Sequence, residues 1–114
     1  MTSGGQFARD KGARFEREIC KLINSSLGLE AHRGFQSRGG SEEADVEGFI
    51  PGFHLELKRQ ERTNVWQFMR QAEADAKEDE IPVVVTKRNR EPVLAVLWFE
   101  DLLDIVGRLR NGTL

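Results

Sequence analysis

The side chains best suited to chemistry lie in residues 53–59, with the sequence FHLELKR. Because successive side chains of a β-strand point to opposite faces, His54, Glu56 and Lys58 share one face. The residues between them are apolar, so the opposite face is suited to a protein core. A lysine two residues beyond a carboxylate can hold or deprotonate a water molecule, which is the chemistry of a hydrolase.

A second carboxylate is predicted to join this face across a hairpin. Residues 44–50 (ADVEGFI) are followed by Pro51-Gly52, a pair suited to the central positions of a type II turn. If this pair forms the turn, Asp45 lies opposite Lys58, on the face that also carries Glu56. Two interpretations are open. The face is either a surface ladder of ion pairs or a cation site, since carboxylates gathered on a covered face are costly without a cation.

The oxygen ligands of this group favour a hard divalent cation. The carboxylates of Asp45 and Glu56, with the backbone carbonyl of Leu57, are the ligands that Mg²⁺ prefers, and we expect Mn²⁺ to substitute. Such an ion lowers the pKa of bound water and offsets the charge that develops in phosphodiester hydrolysis. We leave His32 and His54 outside the predicted ligand set, because Mg²⁺ does not need them.

Three helices are predicted to position these residues. Apolar side chains recur at helical spacing over residues 10–27, 65–76 and 99–110. Gly28 is suited to end the first helix. Asn64 with Gln67 resembles a capping box at the start of the second helix.

Five strands are predicted around these helices. They lie at residues 29–36, 44–50, 53–59, 81–86 and 92–98. The last two runs are apolar at nearly every position, which is typical of central strands covered on both faces. The predicted fold is therefore α/β, a single-domain, mixed five-stranded sheet flanked by helices.

Chain length and charge limit the class of protein. A chain of 114 residues with 39% hydrophobic residues suits one domain, which we place at 10–114 after a flexible N-terminus at 1–9. The net charge of −2 excludes a polycationic nucleic-acid coat. An acidic centre at 42–57 lies between basic flanks, which suits a metal-dependent enzyme acting on a polyanion but also arises by chance on a charged surface.

Cysteine content and hydropathy indicate an intracellular protein. The single cysteine, Cys20, excludes a disulfide framework and a zinc site built from several cysteines. No apolar run approaches the roughly 20 residues that span a bilayer, and the N-terminal residues lack the apolar stretch of a signal peptide. We therefore expect a cytoplasmic location and no membrane partner.

Two motifs resemble those of known nucleases. Asp45, followed after ten residues by Glu56-Leu57-Lys58, resembles the D-x(n)-E-x-K signature of the PD-(D/E)XK nuclease superfamily, with Ala44 where that family often has proline. Residues 11–18 (KGARFERE) are similar to the K-G-x-x-x-E-R opening helix of archaeal-type Holliday junction resolvases. The order of predicted elements also agrees, over residues 10–106.

This resemblance implies a fold, an activity and a set of catalytic residues. The fold would be the PD-(D/E)XK restriction-endonuclease-like core, and the enzyme a Mg²⁺-dependent endodeoxyribonuclease that resolves four-way junctions in DNA recombination and repair. The implied catalytic residues are Glu16, Ser37, Asp45, Glu56, Lys58 and Gln71. Among them Glu16, Asp45 and Glu56 would bind or support the metal ion, and Lys58 would activate water.

Basic side chains are expected to hold the phosphates of branched DNA. The residues that we assign to this role are Lys11, Arg14, Arg17, Arg33, Arg38, Arg59 and Arg62. The basic turn at 87–90 is suited to the same role, and the alternative role for all of these side chains is solubility.

The proposed substrate also predicts an oligomeric state. A four-way junction has approximate two-fold symmetry and needs two symmetric cuts, so a chain with one site is expected to act as a homodimer. Its setting would be the cytoplasm of a bacterial, archaeal or phage-infected host cell. Two alternatives stay open, namely a related small phage, restriction or repair endonuclease acting on other DNA structures, and a non-catalytic DNA-binding module.

Overall fold

The computed structural model describes residues 4–33, 49–62 and 64–112, with side chains from residue 9 onward. These residues form three helices and three strands. In chain order the elements are α1 (Gly4–Leu27), β1 (Phe53–Lys58), α2 (Val65–Asp75), β2 (Ile81–Thr86), β3 (Leu94–Val96) and α3 (Phe99–Arg110).

Helix α1 begins before its predicted start and ends where predicted. It starts at Gly4 rather than Asp10, because residues 6–9 (QFAR) contain no helix-breaking residue, and it therefore includes part of the segment predicted to be flexible. At the other end, the backbone N–H of Gly28 donates to the carbonyl of Asn24 at 2.9 Å, and Gly28 has a φ of 70°. This positive φ explains why glycine ends the helix.

The described sheet has three strands in the order β1-β2-β3 rather than the predicted five. β1 pairs with β2 in parallel, and β2 pairs with β3 antiparallel. Of the predicted strand at 44–50, residues 44–48 lie outside the described part of the chain. Phe49 and Ile50, which complete that run, form a bend.

The predicted strand at 29–36 is not present over its described residues, 29–33. The side-chain amide of Asn24 donates to the carbonyl of Ala31 at 2.8 Å and accepts from its N–H at 2.7 Å. Both backbone groups of Ala31 are therefore satisfied by a helix side chain. No sheet partner is needed there.

The turn before β1 has the predicted form. The N–H of Phe53 donates to the carbonyl of Ile50 at 3.1 Å, and Gly52 has a φ of 89°, as the third position of a type II turn requires. The carbonyl of Gly52 also accepts from the N–H of Ile81 at 2.9 Å. The turn therefore fixes the register in which β1 and β2 begin to pair.

β3 differs from the predicted central strand at 92–98. It is three residues long, lies at the edge of the described sheet, and leaves the side chain of Leu94 58% exposed. Pro92 has no N–H to donate to a neighbouring strand, which shortens the run that can pair. Apolar composition thus predicted a strand correctly but its position in the sheet wrongly.

Helices cover both faces of the sheet, as predicted. On one face α1 contributes Phe15, Ile19, Cys20 and Ile23 to a core with Leu55 of β1. On the other face Met69 and Ala72 of α2 pack with Val84 of β2. The N-terminus of α2 is capped by Asn64, whose side chain accepts from the N–H of Gln67 at 3.1 Å, as the capping pattern predicted.

Helix α3 has the predicted bounds but none of its residues is buried. Most of its large apolar side chains are exposed; they are Phe99, Leu102, Leu103, Val106 and Leu109. Among the described residues, no helix is both long enough and apolar enough to cross a membrane.

Candidate functional site

The polar face of β1 carries a carboxylate that is almost buried. Glu56 is 7% exposed and lies between His54 and Lys58 on the same strand. Its Oε1 is 3.0 Å from His54 Nε2, whereas its Oε2 is 3.7 Å from Lys58 Nζ. The two oxygens of one carboxylate therefore face different neighbours.

The pairing of β1 with β2 explains why Glu56 is almost buried. Glu56 is opposite Val84, whose side chain is fully buried beneath α2, and Leu55 is opposite Val83 on the α1 face. Alternation along the strand thus directs Leu55 into one core and Glu56 to the edge of the other. Further along, the hydroxyl of Thr86 donates to the carbonyl of Lys58 at 2.6 Å.

Lys58 lies between the carboxylate and an aromatic ring. Its Nζ is 5.2 Å from the centroid of the Phe68 ring on α2, a distance at which a cation is attracted to the ring face. The side chain is 21% exposed. The ammonium group is therefore restrained next to Glu56 and still open to solvent, as a residue that handles a water molecule must be.

Two groups of this site, the His54 imidazole and the Asp75 carboxylate, were not among the predicted site residues. One ligand atom each from His54, Glu56 and Asp75 can come together, with all three atoms within 4.8 Å of one another. Asp75 ends α2, in an acidic stretch that carries no recognisable motif. Its position was nevertheless readable, because Asp75 follows Phe68 by seven residues and so lies on the same side of the helix.

The pKa of His54 is raised above its ordinary value. The hydrogen bond to Glu56 is the main cause, burial of the imidazole opposes it, and the negative charges of Glu56, Asp75 and Glu80 add to the rise. The imidazole therefore lies in a region of negative electrostatic potential, which attracts cations.

The other predicted catalytic residues are placed differently. Gln71 is exposed on α2. Its spacing from Phe68 and Asp75 puts it on the side of the helix that faces the polar side chains of β1. Ser37 and Asp45 lie outside the described residues. The Leu57 backbone follows Glu56 directly in β1.

Glu16 lies on α1 and forms an ion pair with Arg33. Helix α1 packs on the apolar face of β1, whereas Glu56 is on the opposite face. Among the described residues, Glu16 is not part of the group of converging ligand atoms. The structure thus brings Glu56 and Lys58 together but does not bring Glu16 to them.

A basic cavity of about 410 Å³ lies between α1 and the C-terminal ends of β1 and β2. Its walls are formed by Lys11, Arg14, Phe15, Glu18, Arg59, Lys87 and Asn89. Three of the predicted DNA-binding residues, Lys11, Arg14 and Arg59, therefore share one concave surface. Lys87, in the basic turn, adds a fourth cation.

Arg59 is held rigidly in this cavity. Its guanidinium donates to Glu61 at 3.0 Å, to the Lys87 carbonyl at 3.1 Å and to the Asn89 side chain at 2.8 Å. The hydrogen bond from Arg59 lowers the pKa of the Glu61 carboxyl, which also accepts from the Asn89 N–H. Lys87 Nζ is 3.3 Å from Glu18, so a second carboxylate balances the cluster.

The remaining predicted DNA contacts do not line this cavity. Arg17 and Arg62 are exposed, and Arg33 is paired with Glu16. Arg38 lies outside the described part of the chain. The cavity therefore gathers Lys11 and Arg14 from the N-terminal half of α1 and Arg59 from the end of β1, rather than all of the predicted set.

The sequence matches a known family of nucleases. A family model described as "Phage putative PDDEXK endonuclease" matches residues 8–112, which is nearly the whole chain. No curated protein and no solved structure matched.

Proposed function

This chain belongs to the phage PDDEXK endonuclease family, and we propose that it is a divalent-metal-dependent endodeoxyribonuclease that cuts four-way DNA junctions as a homodimer. The observation that carries the catalytic part of the proposal is the almost buried Glu56 carboxylate beside the restrained Lys58 ammonium. Families of this name are nucleases, and D-x(n)-E-x-K is the residue pattern that the site would use.

The oxygen ligands that the described residues offer, on Glu56 and Leu57, fit a hard divalent cation. Glu56 Oε2 faces Lys58 rather than His54, and with the Leu57 carbonyl and the Asp45 carboxylate it would give Mg²⁺ three oxygen ligands. When bound, the ion lowers the pKa of water and offsets charge on the reacting phosphate. Lys58 Nζ, close to Glu56 and open to solvent, would orient the attacking water or accept its proton.

The basic cavity would position the DNA strand. Lys58 and Arg59 are consecutive residues at the C-terminal end of β1 and point to opposite faces of the sheet. A phosphate backbone held by Lys11, Arg14 and Arg59 would therefore run past the end of β1, next to Lys58. Because the Arg59 guanidinium is already held by three hydrogen bonds, it would bind a phosphate at a lower entropic cost than a side chain without such restraint.

The unburied face of α3 supports the homodimer. Phe99 is 68% exposed and Leu109 is 60% exposed, at opposite ends of the same helix. The first turn of α3 is acidic and its last turn is basic. Antiparallel packing of two copies around a two-fold axis would place each acidic turn against the partner's basic turn, so the surface is complementary to itself.

A cutting assay on matched DNA tests the substrate. A four-way junction, a flap and a linear duplex of the same sequence are incubated with the protein and Mg²⁺. We expect symmetric cuts in the junction, faster than in the other two substrates, and no cutting with EDTA. Equal rates on all three substrates would favour the second candidate, a small phage endonuclease of other specificity, which the phage family supports directly. Junction binding without cutting in any metal would indicate a DNA-binding module.

The dimer is tested with two leucines of nearly equal exposure. Leu103 on α3 is 54% exposed and Leu27 at the end of α1 is 55% exposed. We expect Leu103→Glu to convert the protein to a species of the 13.0 kDa chain mass in light scattering, while Leu27→Glu leaves the dimer intact. A wild-type monomer at micromolar concentration would contradict the dimer without affecting the metal site.

A further inference from the structure

We propose that His54, Glu56 and Asp75 form a second divalent-metal site, on the side of Glu56 away from Lys58, and that this site prefers a transition-metal ion such as Mn²⁺ over Mg²⁺. The proposal concerns residues of this chain that the nuclease pattern does not use. It does not depend on the substrate proposed above, because it is a statement about ion binding.

The two oxygens of Glu56 distinguish this second site from the proposed catalytic site beside Lys58. Oε2 is the oxygen nearer Lys58, where the catalytic ion would be bound, and Oε1 is 3.0 Å from His54 Nε2. A carboxylate can bridge two cations through its two oxygens, as in enzymes whose metal ions lie about 4 Å apart. Glu56 would bridge in this way, with one ion on each side.

The spacing of the ligand atoms suits a single small ion. Two ligands about 2.1 Å from an ion and at right angles to each other are about 3.0 Å apart. This is the observed distance between His54 Nε2 and Glu56 Oε1. The exposed side chain of Asp75 offers a carboxylate oxygen that lies within 4.8 Å of a ligand atom of His54 and of one of Glu56.

The chemistry of the ligands sets the choice of ion. Imidazole nitrogen suits transition metals such as Zn²⁺, Fe²⁺ or Ni²⁺. Mn²⁺ binds both oxygen ligands and imidazole, whereas Mg²⁺ is held by oxygen ligands and water. His54 and Glu56 are held on a strand and Asp75 at the end of a packed helix, so the ligands come from two fixed elements. Rigid placement lowers the entropic cost of binding.

The competing explanation is a simple ion pair. A protonated His54 donating to Glu56 satisfies both groups without any metal. The two explanations differ in what happens when an ion is added, because a metal ligand must give up its proton and bond to the ion through nitrogen.

Mn²⁺ provides the direct test, since the spin of the ion senses a bound imidazole nitrogen. The full chain is loaded with Mn²⁺ in the presence of millimolar Mg²⁺, and nitrogen coupling is measured by electron spin-echo envelope modulation. We expect ¹⁴N coupling in the wild type and in Asp45→Asn, and none in His54→Gln. We also expect His54→Gln to weaken Mn²⁺ binding by at least about tenfold, since loss of even an outer-shell partner of a metal ligand costs about 10- to 100-fold in affinity.

Two controls keep the result unambiguous. The chain has two histidines, so His32→Gln must retain the nitrogen coupling. Asp75→Asn should weaken Mn²⁺ binding, whereas Asp79→Asn, at an exposed residue outside the group, should not. Absence of ¹⁴N coupling in the wild type, or its persistence in His54→Gln, would overturn the second site. Loss of coupling in Asp45→Asn would show one shared ion instead of two. Failure of DNA cutting alone would not bear on this site.

Discussion

The two faces of β1 have opposite chemistry within a single six-residue strand. One face buries Leu55 at 4% exposure against α1, and the other holds Glu56 at 7% exposure beside His54 and Lys58. Both residues are therefore nearly inaccessible to water. Burial stabilises the leucine by the hydrophobic effect, whereas the carboxylate is stabilised there by the Lys58 ammonium and the hydrogen bond with His54.

The difference separates the two roles of the strand, which are to stabilise the fold and to carry the polar side chains of the candidate site. Replacing a residue on the α1 face should change the amount of folded protein and leave the chemistry of each folded molecule intact. Replacing a residue on the α2 face should do the reverse. The following substitutions test that separation, ordered by the size of their expected effects.

Glu56→Gln should have the largest effect on activity. The amide cannot replace a negatively charged metal ligand, so we expect the cleavage rate to fall by about 10³-fold or more. Binding of junction DNA should be retained or stronger, because a negative charge near the phosphate is removed. Rates come from single-turnover cutting, with Glu73→Gln, at an exposed carboxylate of α2, as the control. Cleavage within tenfold of wild type would remove Glu56 from the mechanism.

Lys58→Ala should reduce the rate by about 10²- to 10⁴-fold, the usual contribution of general acid–base catalysis. Lys58→Arg should not restore activity, because arginine keeps its proton and has a different shape. The thermal unfolding temperature should change little in both variants. If Lys58→Ala cuts at a nearly normal rate, the lysine is part of an ordinary ion-pair ladder.

Leu55→Ala should instead act on stability. We expect a loss of about 2–5 kcal/mol in the free energy of unfolding, since the substitution leaves a cavity in the α1 core. The cleavage rate per folded molecule should stay within a few-fold of wild type. Urea unfolding measures the first effect, and Leu22→Ala, at a 48% exposed leucine of α1, should lose far less. A large loss of rate at full folding would show that the two faces are not separate.

Arg14→Ala should have the smallest effect, confined to DNA affinity. Loss of one phosphate contact should reduce the slope of log affinity against log salt by about 0.9 on duplex arms. Fluorescence anisotropy at several salt concentrations gives the slope. Lys21→Ala, at an exposed lysine further along α1 and outside the basic cavity, should leave it unchanged.

Local patterns predicted much of the fold. Alternation identified β1, helical spacing gave the bounds of α3, and Pro51-Gly52 gave the turn, because each depends on residues close in sequence. The position of β3 was wrong, because a short apolar run does not reveal which of its faces meets another element. Similarly, the backbone hydrogen bonds of Ala31 are made with the side chain of Asn24 rather than with a neighbouring strand. No hydrophobic periodicity predicts such a contact.

The candidate site was predicted only in part, because sequence patterns reveal residues that are close along the chain and not those brought together by folding. Glu56 and Lys58 were found because they lie two residues apart on one strand. Asp75 was missed because it reaches the site from α2, and His54 was set aside because the predicted ion did not need it. The placement of Glu16 shows the limit of spacing on a helix: the residue borders the apolar stripe, and the stripe alone did not indicate its pairing with Arg33.

The turn at Gly52 has a consequence for errors in folding. Its carbonyl bonds to Ile81 and thereby sets the alignment of β1 with β2. A slip of one residue would turn Glu56 into the apolar core beneath α1 and place Leu55 on the polar face beside α2. An uncompensated carboxylate in that core costs several kcal/mol, so a misaligned chain would be unstable rather than folded and inactive. The alignment that places His54, Glu56 and Lys58 in one row is thus also the one that the folding free energy selects, and misaligned molecules would be left open to proteolysis.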